Sequence, residues 1–201
     1  MHRAEIAGSD PQPDRLGSLP EGISTDEVQH QQDGYGPLFH RRYGTRIRNS
    51  GLPVDELMDR VTGNLNQAAP SSFARFQKVE GEEHQMTVGD EYVVRMPGPW
   101  DGPVRVIERS PRSFRFATLR GHLEAGQIEF RAREHENGEL QFEIESWARS
   151  SNRLTNLLYH HLRMSKEVQA HMWVSFLEGV VRVAGGRMTG GVTIATERFD
   201  G

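Results

Sequence analysis

Apolar and polar residues alternate with a period of two through the middle of the chain, and with a helical period before and after it. Tyr43, Thr45 and Ile47 alternate, which predicts a first strand. Asn49-Ser50-Gly51 punctuates it, and Pro53 suits a first helical position. Val54, Leu57, Met58, Val61 and Leu65 then recur at spacings of three and four, the mark of an amphipathic helix, which Ala68-Ala69-Pro70 closes. Extended segments follow at Phe73 to Val79, Asp90 to Met96, Val104 to Glu108, Ser113 to Leu119 and Gln127 to Glu134. Pro97-Gly98-Pro99 and Ser110-Pro111 break the run, and Asn137-Gly138 is a strong hairpin signal. Beyond it Leu140, Phe142, Ile144, Ser146 and Ala148 alternate with Gln141, Glu143, Glu145, Trp147 and Arg149, so one face of that strand is apolar and the other charged.

From Asn152 to Ala184 there is no proline, and Gly179 is the single glycine. Leu154, Leu158, Leu162, Ser165, Val168, Met172, Phe176, Val180 and Val183 recur every three or four residues. That period predicts a helix of about 30 residues, or about 45 Å, whose first part near Asn152 to Tyr159 is either continuous with the rest or a separate, kinked piece. Trp173, Leu177, Val181 and Ala184 widen its apolar face, and Gly185-Gly186 ends it. Val192, Ile194 and Thr196 alternate in the last segment, as an added edge strand or a loose tail would. A run of strands followed by a helix predicts an α+β fold, with a curved antiparallel sheet wrapped round the long C-terminal helix. Such an arrangement rarely fills all the space between sheet and helix, and a pocket for an apolar ligand is expected there.

Composition changes this picture at the ends. Only 35% of the 201 residues are hydrophobic, low for a fully packed chain. Residues 1–38 hold Pro11, Pro13, Pro20, Pro37 and five glycines without a period, and read as a flexible acidic N-terminal arm. The alternative is a partner-binding segment around Ile23 to Val28, with Ser24 capping a short helix. The domain proper is expected over residues 39–186 and a C-terminal extension over 187–201. Residues 1–40 set two arginines against seven carboxylates, so the rest of the chain, at a total of −4, is close to neutral. That balance disfavours a nucleic-acid partner. With no cysteine, disulfides, thiolate nucleophiles and Cys-ligated zinc are excluded. No secretory h-region opens the sequence and no apolar run is long enough to span a bilayer, so a cytoplasmic protein is expected.

The stretch from Phe116 to Phe130, with Gly121, His122, Glu124, Gly126 and Phe130 at fixed spacing, resembles the signature of the bacterial and plant family called domain of unknown function 1990. Leu123 stands where that signature usually has proline, which leaves the turn less rigid. Val88-Gly89-Asp90 and the Ser146 to Arg149 region fit the same scheme, and the resemblance covers roughly residues 41–185. That family is similar to the START/Bet v 1-like helix-grip superfamily. The resemblance implies a helix-grip fold that binds a small apolar or amphipathic molecule, as lipid, sterol and hormone carriers of this kind do. The alternative it leaves open is a cyclase- or hydrolase-like enzyme.

Several residues are candidates for the chemistry. His122 titrates near neutral pH, and Glu124 two residues on could orient it, with Arg120 beside them, for acid/base work on a carbonyl ligand. Equally, the three form a structural turn in which Gly121 and Gly126 supply special backbone angles. Trp100 in a loop is a candidate lid, and with Phe116, Phe130, Phe142, His161, Met172 and Phe176 it makes up the expected ligand lining. His160 and His171 share a helix face about 16 Å apart, too far for a common ion, so no metal site is expected. No phosphate-binding loop, dinucleotide fingerprint or nucleophile elbow is present, and no cofactor is expected. A third reading makes the chain a protein-interaction domain whose acidic arm docks a basic partner.

Overall fold

Nine strands and two α-helices account for most of the described residues of the computed structural model, which are 2–7, 19–70, 74–96, 101–151 and 164–200. The strands are β1 (His2–Ala7), β2 (Tyr35–Arg48), β3 (Arg75–Glu80), β4 (Glu91–Arg95), β5 (Asp101–Ser110), β6 (Ser113–Thr118), β7 (Glu124–Glu134), β8 (Leu140–Ser150) and β9 (Arg187–Phe199). The helices are α1 (Val54–Gly63) and α2 (Met164–Ala184). One sheet runs in the order β1-β9-β2-β8-β7-β6-β5-β4-β3, antiparallel throughout except for the parallel pair β1 and β9. Register slips at Val106/Glu108 and Thr45/Arg46 are bulges of the kind that bend a sheet.

The inward faces are those the alternation predicts. Tyr43 and Ile47 of β2, Phe142 and Ile144 of β8, Phe130 of β7 and Phe116 of β6 join one core with Phe176, Leu177 and Val180 of α2 and with Leu57, Met58 and Val61 of α1. Helix α1 starts after Pro53, which stands at its N-cap in extended conformation, and a 3-10 turn at Leu65–Gln67 follows it. The sheet therefore curls over α2, as expected. Residues 152–163, the first third of the expected long helix, lie outside the described residues, as does the loop that carries Trp100.

Two expectations about the ends give way. Residues 19–38 are not a loose arm. The stretch before β2 straps across the sheet: the Gln29 N–H donates to the Thr118 carbonyl at 2.8 Å, Val28 bridges Leu119, and the Arg105 guanidinium donates to the carbonyls of Ser24 and Asp26, each at 2.9 Å. Ser24 accepts from the Asp26 N–H in a turn and caps no helix. Proline and glycine lower the segment's own propensity, but backbone bonds to the sheet satisfy it regardless. The boundary drawn at residue 38 also falls inside β2, and residues 2–7 form a strand. Nor is β9 an edge: it lies between β1 and β2, with Val192 and Ile194 buried in the core.

Candidate functional site

The inner face of the sheet changes character along its strands. In one row Tyr43 faces Ile144, Ile144 faces Phe130, and Phe130 faces Phe114. Here rings meet rings: Phe130 lies 4.5 Å from Phe114 and 5.5 Å from Phe176, and Phe142 lies 6.5 Å from Phe176. Phe114, Phe130, Phe142 and Phe176 are each 0% exposed, so no water-sized void touches them. Four of the expected lining residues, Phe116, Phe130, Phe142 and Phe176, are thus brought together, but as solid core.

The next row is polar. Arg41 faces Ser146, and Ser146 faces Ile128. The alternation that turns Tyr43 inward turns Arg41 inward too, and the residue is 4% exposed. Its Nη1 donates to Glu124 Oε1 at 3.2 Å, and the Gln169 amide of α2 donates to Glu124 Oε2 at 3.1 Å. One carboxylate so links β2, β7 and the helix. Met172 and Trp173 follow on α2, each 7% exposed, and Trp173 packs edge-on to Phe130 at 5.6 Å. Around this ion pair Ser146 Oγ, Gln169 Oε1 and Trp173 Nε1 are buried with no hydrogen-bond partner. Such atoms are uncommon in folded proteins and costly to leave unmet.

The catalytic trio does not assemble. Glu124 is directed at Arg41 and Gln169 rather than at His122. His122 serves the turn: its Nδ1 lies 2.9 Å from the Glu124 backbone nitrogen and 3.0 Å from the Glu124 carbonyl oxygen, and its own carbonyl accepts from the Gln29 amide at 3.1 Å. Burial pushes the His122 pKa below the ordinary value against the opposing pull of the Glu124 charge, so the ring is neutral near pH 7. Arg120 is exposed, and its backbone N–H donates to the Glu27 carbonyl at 2.6 Å. Among the candidate lining residues, Trp100 and His161 lie outside the described residues. His171 is exposed on α2, and no group of three metal-ligating side chains occurs among the described residues.

Sequence reasoning passed over the sheet's other face. There His40, 2% exposed, stacks on Trp147 at 3.7 Å and sits between Glu145 at 2.6 Å and Glu197 at 3.4 Å. Burial alone would raise the Glu145 pKa, but His40 and Arg131 outweigh it and hold the carboxyl at about 2. A histidine and a tryptophan at facing, outward positions of the alternation were the available signal.

Over residues 16–178 the sequence matches the family described as Domain of unknown function (DUF1990). The chain belongs to that family. No curated protein matches this DUF1990 chain. Among solved structures it is similar to norcoclaurine synthase from Thalictrum flavum in complex with dopamine and hydroxybenzaldehyde, with 8% identity and a TM-score of 0.51 over 83% of this chain and 96% of that one. It is also similar to a hypothetical protein from Helicobacter pylori (7% identity, TM-score 0.52, 71% of this chain and 87% of that one). A conserved protein from Geobacillus kaustophilus is comparable (10% identity, TM-score 0.51, 74% and 98%). At such identities the likeness establishes the DUF1990 chain as a helix-grip fold and nothing finer.

Proposed function

We propose that this protein binds a small amphipathic molecule at the polar end of the grip, between the row of Arg41, Ser146 and Ile128 and the turn of α2 that carries Gln169 and Trp173. The observation that carries the reading is the set of buried, unpartnered Ser146 Oγ, Gln169 Oε1 and Trp173 Nε1 on these facing surfaces. A hydroxyl, an amide oxygen and an indole N–H together accept and donate, and the Arg41–Glu124 pair beside them holds its charges internally. The ligand this suits is largely uncharged, with an apolar body against Met172, Trp173 and Ile128 and one or two polar groups. The helix-grip neighbour that holds dopamine and hydroxybenzaldehyde, each an aromatic ring with polar substituents, is compatible with that chemistry. A reaction led by His122 has no such support, since its ring is engaged by its own turn.

The test is a titration of the full chain with the neutral amphipathic dye N-phenyl-1-naphthylamine, read by dye fluorescence. The expected result is saturable one-to-one binding. Ser146→Leu, which removes a polar partner and fills space, should weaken it by roughly tenfold, the equivalent of about 1.4 kcal/mol. Binding that never saturates, or that Ser146→Leu leaves untouched, would sink the reading.

A further inference from the structure

One residue of the strap, Gln29, joins two strands where they diverge. Strands β6 and β7 pair as far as Ala117 opposite Gln127. One position further the Gly126 N–H donates to the Thr118 hydroxyl at 3.0 Å, in place of a backbone rung. Beyond that the Gln29 N–H donates to the Thr118 carbonyl at 2.8 Å, and its side-chain amide donates to the carbonyls of His122 at 3.1 Å and Glu124 at 3.3 Å. The strap does not lie flat on the sheet. A cavity of about 260 Å³ separates it from Gly126, Gln127 and Trp147 on the outer face, where Trp147 stacks on Phe199 at 6.0 Å. Gln29 is therefore where the strap takes hold of the start of β7.

The same backbone carries the carboxylate of the grip. Glu124 shares the inward register of Ile128 and Phe130, so a residue held from the strap by Gln29 reaches inside, to Arg41 at 3.2 Å and Gln169 at 3.1 Å. Arg41 is 4% exposed, and a guanidinium keeps its proton at any pH near neutral. A buried cation is tolerated only while its counter-charge is in place. We infer that Gln29 is a positioning residue that sets the ligand charge the grip accepts. By holding the Glu124 carbonyl it keeps the carboxylate on Arg41, and the polar end of the grip stays neutral. With Glu124 displaced, the Arg41 guanidinium is left to pair with an anion. This rests on the binding proposed at that end of the grip, and it gives the strap a part in specificity without any contact between strap and ligand.

The experiment uses the full chain and compares two dyes, N-phenyl-1-naphthylamine and 8-anilinonaphthalene-1-sulfonate, which share one skeleton and differ by the sulfonate. The parent should favour the neutral dye. Glu124→Gln, which removes the counter-charge, should move the ratio of affinities toward the sulfonate by roughly tenfold, and Gln29→Met, which keeps length but no donor, by roughly threefold in the same direction. General loosening would weaken both dyes alike and leave the ratio where it was. Gln29→Asn, whose amide is drawn back by one methylene, decides if Gln29→Met does not fold. Arg105→Met frees the strap from its bonds at Ser24 and Asp26 but leaves Gln29, and should not change the ratio. An unchanged ratio in Gln29→Met or in Glu124→Gln, or an equal change in Arg105→Met, overturns the inference. If the parent binds neither dye saturably, the grip reading fails, and the side-chain amide signal of Gln169 in the 15N-labelled chain decides the role of Gln29. That signal should move in Gln29→Met in the direction it takes in Glu124→Gln, and a signal that stays in place overturns the positioning role as well.

Discussion

Single residues explain why some polar positions are structural. Asp90 is 4% exposed, and its carboxylate accepts from Lys78 Nζ at 2.6 Å and from Thr87 through the backbone at 2.9 Å and the hydroxyl at 2.8 Å. Burial alone would raise its pKa, but these donors outweigh burial and lower it below the ordinary carboxylate value. The Val88-Gly89-Asp90 signature is therefore a clamp on the loop between β3 and β4. Asp90→Asn should cost about 2 kcal/mol at pH 7, because it leaves the Lys78 ammonium without its counter-charge. The sign with pH follows from the lowered pKa. The stabilisation is complete above the unfolded value near 4 and is lost as pH falls through the folded one. Urea midpoints of parent and variant should accordingly converge as pH falls below about 4, and a constant gap would refute the clamp. His122 also has a depressed folded pKa, so its contribution is complete above the unfolded value of about 6.5 and shrinks as pH falls below it. A pH titration followed by NMR should place its midpoint below the ordinary histidine value of about 6.5; a midpoint at or above that value would mean that the ring is not shielded.

At the scale of elements, the contact between α2 and the turn after α1 is set by a residue with no side chain. Gly179 is the glycine interrupting the long helical pattern, where propensity alone makes alanine better by about 1 kcal/mol. A Cβ at that position would stand 2.0 Å from the Ala68 carbonyl oxygen and 2.7 Å from its Cα. Backbone cannot yield as a side-chain tip can. Gly179→Ala should thus destabilise by about 3 kcal/mol, the opposite sign from the helix scale. Thermal denaturation of the purified variant decides between the two; an unchanged or raised Tm would mean that α2 is not seated against Ala68. The same logic separates what was legible in the sequence from what was not. The twofold alternation of Leu140 to Arg149 gave the faces of β8 without any tertiary information, and Ser146 and Arg41 were readable as polar residues at inward positions. Their partner Gln169 was not, because the helical pattern marks only its apolar stripe. The strap and β1 escaped detection for a different reason. Their hydrogen bonds go to residues far along the chain, so no local period records them. The ring-on-ring packing of Phe114, Phe130 and Phe176 also lies beyond periodicity, which marks a residue as inward but cannot say whether the space in front of it is filled.

The whole molecule joins a grip to an annex. The family match ends at residue 178, inside α2, while the chain goes on to form β9 and draws its own β1 alongside. Strand β9 is bound to β2 along nearly its whole length, from Leu38 opposite Phe199 to Arg48 opposite Arg187. Phe199 also closes the small outer cluster of Leu38 and Trp147, so the annex supports both the core beneath and the strap cavity above. Val192 and Ile194 are each 4% exposed, and burying a side chain of that size stabilises by about 1.5–3 kcal/mol. Removing residues 187–201 therefore subtracts several kcal/mol from a total that is typically about 5–15 kcal/mol, and bares the edge of β2 as well. Removing residues 1–7 takes away one terminal strand and leaves β9 as the new edge. The two truncations should differ in kind. The first should yield insoluble chain or a Tm lowered by more than 10 °C or so, since about 1 kcal/mol moves Tm by about 2–4 °C in a chain of this size. The second should remain folded, with a Tm within about 5 °C of the parent and a greater tendency to self-associate through β9. Scanning calorimetry with light scattering on both truncated proteins measures each quantity. Equal behaviour of the two would mean that β9 is a passive extension, and the strap cavity, which leans on Phe199 through Trp147, would lose its foundation with it.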